Sequence, residues 1–408
     1  MTDIARSVDA VWRIESARIV GALTRMTGDV GLAEDLAQEA LVDALRQWPE
    51  SGIPQNPGAW LTAVAKRRAI DGWRRRERLD DRYRALAHDL ETQGAEEWQP
   101  IDDDVLRLVF TACHPVLSRE SQVALTLRVV GGLTSEEIAR MLLVPVATVQ
   151  ARITRAKKTL AAAHVPFEAP DPSEWGPRLG GVLGVVYLIF TEGYAATSGD
   201  RWIRTDLARE ALRLGRVIAE LLPREPEVHG LVALMEFQSS RFGARVARDG
   251  SPILLADQDR TRWDRAQIAR GVAALQRADA LGRGRGPFAL QAAIAECHAV
   301  APSVEATDWE RIVLLYEALG RLAPNPVVEL NRAVAVSMAT GPATALRIVD
   351  ALADAGQLRG SHLLPSVRGE LLSRLGRTED ARAALLEAAA LTSNTREAAV
   401  LRGKAQAL

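Results

Sequence analysis

The sequence predicts an all-α protein, and three observations predict it. Ala, Leu, Arg and Glu dominate the 408 residues, while aromatic residues make up only 5%. Alternating β-branched and polar runs, the mark of half-buried strands, are absent. Apolar residues instead recur at three- and four-residue spacing between short stretches rich in Pro and Gly.

Residues 10–48 read as two helices parted at Thr27 to Gly31. The second places Leu32, Leu36, Ala40 and Trp48 at core spacing and exposes Glu34, Asp35, Gln38, Glu39 and Asp43. Taken alone, that acidic face is a solvated surface. Three prolines and two glycines fall in Pro49 to Gly58, too many for a long helix or strand. A helix then runs from Pro57 to about Leu79, with Trp60, Leu61, Val64, Ala65 and Ile70 turned to a core and Lys66, Arg67, Arg74, Arg75 and Arg78 turned out. Trp73, set among arginines, suits either a core or a base-stacking platform. Residues 80–101 are polar and acidic and read as a linker. Helices resume from Asp102, with a break at His114 to Leu117. Four prolines in residues 165–177 mark a boundary. From Arg178 to Leu408 helical pairs follow one another. Glu220 to Met235 and Arg321 to Met338 resemble each other as helix, Pro turn and second helix, and the last part, ALRIVDALADAGQL to LLSRLGRTEDARAALLEAAAL, pairs small residues with Leu at a pitch near that of tetratricopeptide repeats. Such an array offers a concave surface for a protein or peptide partner. A helical domain packed on its own N-terminal half is the other reading.

A formal charge of −1 and a pI near 6.6 argue against a nucleic-acid partner only if charge is evenly spread. It is not, because Trp60 to Arg84 carry nine Lys or Arg against four acids. Cys113 and Cys297 have neither disulfide nor metal-ligand spacing and suit buried thiols in a reducing cytosol. The N-terminus lacks a signal-peptide core, and the longest apolar run, Leu179 to Phe190, is too short to span a bilayer. The expectation is a soluble cytoplasmic protein with no membrane contact. Six scattered histidines without metal spacing, no Gly-rich phosphate loop and no nucleophile elbow predict no metal, no cofactor and no enzymatic activity.

Residues 133–160 carry the sharpest signal. Thr134 and Glu137 form a capping box, and Ile138, Met141 and Leu142 share one face of the helix it opens. After a turn at Leu143 to Pro145, with Pro145 suited to the first position of a helix, Val149, Ile153, Ala156 and Leu160 fall on one buried stripe. The other faces carry Thr148, Gln150, Arg152, Arg155, Lys157 and Lys158, and no acid occurs between Ile138 and Phe167. A helix of this kind enters the major groove with its early polar residues at base edges and its later bases at phosphates. An ordinary helical hairpin with a solvated basic face has the same pattern.

Taken together, acidic helix, Pro/Gly loop, basic helix, linker and helix-turn-helix resemble the bacterial extracytoplasmic-function (ECF) sigma factors. Residues 32–44, LAEDLAQEALVDA, look like the region 2.2 helix that grips the β′ clamp helices of RNA polymerase. Residues 60–76, WLTAVAKRRAIDGWRRR, are similar to the WLxxIAxNxxIDxxRRR run of regions 2.3 and 2.4, and residues 144–160 resemble the TVxxRxxRAxxxL helix of region 4. The resemblance implies core-polymerase contacts at Asp35, Gln38 and Glu39, and −10 DNA contacts at Asn56, Trp60, Lys66, Arg67, Arg74 and Arg75. It implies −35 DNA contacts at Thr148, Gln150, Arg152, Arg155 and Lys158, with region 4 meeting the β flap. Arg67 where Asn is usual, Trp73 where Leu is common, and Gln150 and Ala151 where Lys and Ser are frequent bear on the promoter sequence read.

The divisions implied are region 2 at 1–79, a linker at 80–101, region 4 at 102–165, a Pro-rich linker at 166–177 and an extension at 178–408. The extension resembles the long helical, tetratricopeptide-like tail of one sigma-factor group, carried by YLIFTEGYAAT, LLADQDRTRWDR and PVVELNRAVAVSMATGP, and such tails are held to regulate the attached factor. Asp257, Asp259, Arg260, Trp263 and Arg265 form a charge-dense loop that suits regulatory docking or simple local ion pairing. A helix-turn-helix regulator with a helical sensor domain, acting without core polymerase, is the alternative function.

Overall fold

A computed structural model describes residues 3–76, 102–142, 144–168, 170, 173–194, 205–247, 253, 255–392 and 395–408. Helices make up the regular structure and no β-strand occurs among the described residues, as the sequence predicts. The chain divides into two compact units, residues 1–188 and 189–408.

The first unit holds α1 (Asp3–Thr27), α2 (Val30–Ser51), α3 (Pro57–Arg76), α4 (Asp102–Ala112), α5 (Arg119–Val129), α6 (Ser135–Leu142) and α7 (Val146–Ala162). Helix α8 (Trp175–Tyr194) runs across the division between the units. The α1–α2 break falls where expected. Asp29 caps α2, its Oδ1 accepting from the Gly31 N–H at 2.6 Å and the Leu32 N–H at 3.1 Å. The Pro/Gly loop is shorter than expected, because α2 continues through Pro49 to Ser51 and stops at Gly52, whose φ of 78° suits only glycine well. Trp48 is fully buried with the Trp60 ring set edge-on at 5.4 Å.

Helix α1 is the shared core element. It packs on α2 and α3 on one side and on α4 and α5 on the other. The stretches 1–79 and 102–165, read from sequence as separate domains, therefore share one apolar interior that includes Trp12, Ile19 and Leu23. The start of α8 belongs there too. The Trp175 ring lies 5.2 Å from that of Phe110, and Arg178 donates to the Phe110 carbonyl at 3.3 Å. For that reason the division between units falls inside α8 and not in the Pro-rich stretch before it.

The second unit continues with α9 (Thr205–Leu221), α10 (Pro226–Ser239), α11 (Arg265–Ala280), α12 (Pro287–Val300) and α13 (Trp309–Leu322). It ends with α14 (Pro326–Ala339), α15 (Pro342–Asp354), α16 (Leu363–Arg374), α17 (Thr378–Leu391) and α18 (Thr395–Gln406). Prolines open α10, α12, α14 and α15, where the missing N–H has no intrahelical partner to lose. Most helices pack chiefly on their sequence neighbours, as in a repeat array. Leu330, Leu346, Val349, Leu371 and Leu372 form one apolar layer, and Leu385, Ala388 and Leu401 form the next.

His298 on α12 gives this unit a pH signature. Its ring meets that of Trp309 at 5.2 Å, and burial, reinforced by the charges of Arg241 and Arg260, pushes its pKa down from 6.5 to about 4. The folded unit thus keeps His298 neutral where the unfolded chain takes up a proton. Stability contributed by His298 is whole above pH 6.5 and is lost as pH falls toward 4, amounting to about 2 kcal/mol by pH 5. Urea midpoints of wild type and His298→Gln, measured between pH 7 and 4.5, should diverge in slope over this window. Parallel slopes would rule the histidine out as the cause.

Candidate nucleic-acid interface

The capping box forms as the sequence predicts. The Glu137 N–H donates to Thr134 Oγ1 at 3.1 Å, and Glu137 Oε2 accepts from the Thr134 N–H at 2.9 Å. Ile138 and Ala139 are buried. Helix α7 begins at Val146 with Pro145 one place earlier than expected, at the N-cap, and buries Val149, Ile153, Ala156 and Leu160. Its opposite face is open. Gln150, Arg155 and Lys158 line a shallow groove of about 880 Å³ there, with Thr148 and Arg152 half-exposed at its flank. The five residues expected to read DNA thus occupy the accessible part of α7. Short polar and amide groups lie toward its N-terminus, and the cations follow one and two turns later, an order suited to base edges followed by phosphates.

The acidic helix behaves differently from its expectation at one residue. Asp35 and Glu39 are exposed and Gln38 is half-exposed, as expected. Glu34, expected at the surface, is buried. Arg128 of α5 donates to Glu34 Oε1 at 2.8 Å, and Lys157 of α7 donates to Glu34 Oε2 at 2.6 Å and to Asp35 Oδ1 at 2.9 Å. Burial works against charge on Lys157, yet Glu34 and Asp35 outweigh it and hold the ammonium above its ordinary pKa. At the other end of α2, Arg68 of α3 reaches Asp43 at 2.6 Å and Glu39 at 2.8 Å. The Asp43 hydrogen bond leads in raising the Arg68 pKa. Charges that composition suggests are solvated are therefore partly answered from within the chain.

Along the loop and α3, Asn56 Oδ1 accepts from the Ala59 N–H at 3.0 Å and so caps α3, and Trp60 packs on Trp48. Lys66 is half-buried, its pKa lowered by burial and then by the nearby Arg25 charge, whereas Arg67 is exposed. Arg74 and Arg75 lie on the last two turns of α3, and their side chains fall outside the described residues. So does the stretch 77–101, which holds Arg78 and the whole expected linker.

In the second unit the charge-dense loop is split by burial. Asp257, Asp259 and Arg265 are exposed, but Arg260 and Trp263 are not the surface groups that docking requires. Arg260 donates to the carbonyls of His298 at 2.9 Å and Ala301 at 2.8 Å and to Thr307 Oγ1 at 3.3 Å, with its guanidinium 5.0 Å from the Trp263 ring centre. The reason is geometric. The turn from α12 toward α13 leaves buried carbonyls without helical partners, and a guanidinium supplies several donors at once.

Sequence reasoning missed Glu34, Arg128 and Trp12. The buried stripe of α2 runs through Ala33, Ala37, Ala40, Ala44 and Trp48, and Glu34 borders it, the one signal that a rotated helical reading offers.

An all-α chain with a helix-turn-helix whose basic face is open, beside a helix with exposed acids, defines the class of two-region DNA-binding transcription proteins. Residues 13–79 match the family described as Sigma-70 region 2, and residues 107–160 match Sigma-70, region 4. Residues 178–279 match a family of unknown function. The chain is 45% identical over 395 residues to the uncharacterized protein R00370 of Rhizobium meliloti (strain 1021), covering 94% of this chain and 91% of that one. It is 31% identical over 166 residues to the probable ECF RNA polymerase sigma factor SigI of Mycobacterium tuberculosis, covering 39% of this chain and 56% of SigI. The figure is 27% over 147 residues for the ECF RNA polymerase sigma factor SigK of Mycobacterium ulcerans, covering 35% of this chain and 78% of SigK. No solved structure matches the chain. The chain belongs to the ECF sigma factors, in a form that carries a long C-terminal extension. It is an alternative sigma factor that directs transcription initiation with core RNA polymerase and promoter DNA. Among the described residues no helix is long and apolar enough to cross a membrane.

Proposed function

We propose the following division of labour. Asp35, Gln38 and Glu39 on α2 engage the β′ clamp helices, and region 4 meets the β flap. Asn56, Trp60, Lys66, Arg67, Arg74 and Arg75 hold the melted −10 strand, while Thr148, Gln150, Arg152, Arg155 and Lys158 read the −35 element. RNA synthesis itself is left to the polymerase in the cytoplasm. The extension regulates the factor in cis, with Asp257, Asp259 and Arg265 as the charges its loop presents to a partner.

The observation that carries this reading is the coexistence, in one compact unit, of exposed α2 carboxylates and an open basic face on α7. Purified full-length protein is expected to bind core RNA polymerase, and Asp35→Ala/Gln38→Ala to bind it at least 10-fold more weakly, about 1.4 kcal/mol. Undiminished binding by the double variant would sink the α2 assignment. Removing the chain after Tyr194 keeps the contacts of α8 with Phe110 and reads the sign of regulation. Higher activity means that the extension masks, and lower activity that it is required.

A further inference from the structure

Helix α13 has two faces of different character. Ile312 and Leu319 turn inward and pack with Leu290, Ile294 and Cys297 of α12. On the opposite side Glu310, Leu314 and Arg321 recur at spacings of four and seven residues, which sets them within about 40° of one line along the helix. Leu314 is 65% exposed, and Leu322, at the end of the same helix, is 57% exposed. A single exposed leucine needs no partner to explain it. The charges on either side of Leu314 give this face a direction.

The edges of the face are answered inside the unit. Arg311 reaches Glu296 of α12 at 3.3 Å, and Glu317 meets Arg332 of α14 at 3.7 Å. Glu310 and Arg321 lie on the midline between those edges, exposed, and neither has a side-chain partner among the described residues. They stand 11 residues apart, about 16 Å along the axis. Each also sits at the helix end that suits its sign, acid in the first turn and base in the last. The stripe therefore reads acid, leucine, base from N- to C-terminus.

Such a stripe is complementary to itself once reversed. Laid parallel, two copies would set Glu310 against Glu310 and Arg321 against Arg321. About a two-fold axis near residues 315 and 316 the helices run antiparallel, and Glu310 lies over Arg321 of the partner subunit at both ends. The two Leu314 side chains then meet beside the axis, next to Ala318. We propose that α13 is a self-association site, through which two copies of this chain form an antiparallel dimer. Contact is confined to a helix of 14 residues, about 21 Å long, so the interface is smaller than standard ones and its Kd is on the order of 10 µM. Every group it uses lies in the second unit, so the inference stands apart from the roles proposed for α2 and α7.

The test is sedimentation equilibrium of the full-length chain over about 1–200 µM, a range that brackets that Kd. Wild type should pass from 44.3 kDa toward twice that mass. Leu314→Glu should stay monomeric. Glu310→Arg and Arg321→Glu, each of which sets like charges together, should each dimerise at least about 10-fold more weakly. Mixing these two charge variants in equal amounts restores opposite signs at both ends of an antiparallel pair, so the mixture should associate within about 3-fold of wild type. Circular dichroism checks that each variant keeps its helix content, as expected at exposed positions. Wild type that stays monomeric throughout, species larger than a dimer, a dimer indifferent to Leu314→Glu, or charge variants that do not recover on mixing would each overturn the proposal.

Discussion

Arg260→Ala is expected to destabilise the second unit by about 3 kcal/mol. The guanidinium makes hydrogen bonds to two carbonyls, those of His298 and Ala301, and hydrogen bonds from a charged donor contribute about 1.5–3 kcal/mol each. Its position against Trp263 adds about 1 kcal/mol. Burial opposes these gains, since desolvation leads in lowering the Arg260 pKa, and that cost is refunded when the charge is removed. The net remains destabilising because the carbonyls stay buried without donors. For a unit of this size the melting temperature should fall by about 6–12 °C. Arg260→Lys should recover only part of the loss, because one ammonium does not reproduce the planar fork that reaches both carbonyls and lies over the indole. A loss under about 1 kcal/mol in urea unfolding would show that water replaces the side chain.

Replacing Arg152, Arg155 and Lys158 together by alanine is expected to lower DNA affinity sharply while leaving the fold intact. All three lie off the buried stripe of α7, so the packing of Val149, Ile153, Ala156 and Leu160 is untouched. If each meets one phosphate, the slope of log K against log salt for duplex DNA should flatten by about 2.7, at about 0.9 per contact. At low salt the loss should be about 100-fold or more. Gln150→Ala should instead leave the salt slope unchanged and alter discrimination among promoter sequences, since an amide reads base edges. Fluorescence anisotropy over a salt series separates the two. An unchanged slope in the triple variant would place the phosphate contacts elsewhere on region 4.

The helix-turn-helix was legible because its determinants are local. A Thr and a Glu three residues apart make the capping box, and four apolar residues at helical spacing make the buried stripe, whatever lies around them. The prolines that open α10 and α14 act in the same local way. The exposure of Gln150, Arg155 and Lys158 on α7 was legible too, since residues opposite a buried stripe face outward, whereas Lys157 turns to Glu34. Glu34 was not legible. Its burial depends on Arg128 and Lys157, which are 94 and 123 residues away in the chain. Arg260 and Trp263 look like surface groups by residue type, yet they are buried because carbonyls near 298–301 lie beside them only after folding.

The sequence by itself determined the all-α class, the break between α1 and α2, the two helices of the helix-turn-helix, and the chemistry carried on the open faces of α2 and α7. These follow from capping, proline and helical periodicity, which act over a few residues. Only the tertiary structure decided that α1 joins regions 2 and 4 in one core, that the division between units falls within α8, and that Lys157 is held by the acidic helix instead of facing solvent. The physical reason is that burial and ion pairing depend on which surfaces meet, and surfaces far apart in sequence meet only through the packing of the whole unit.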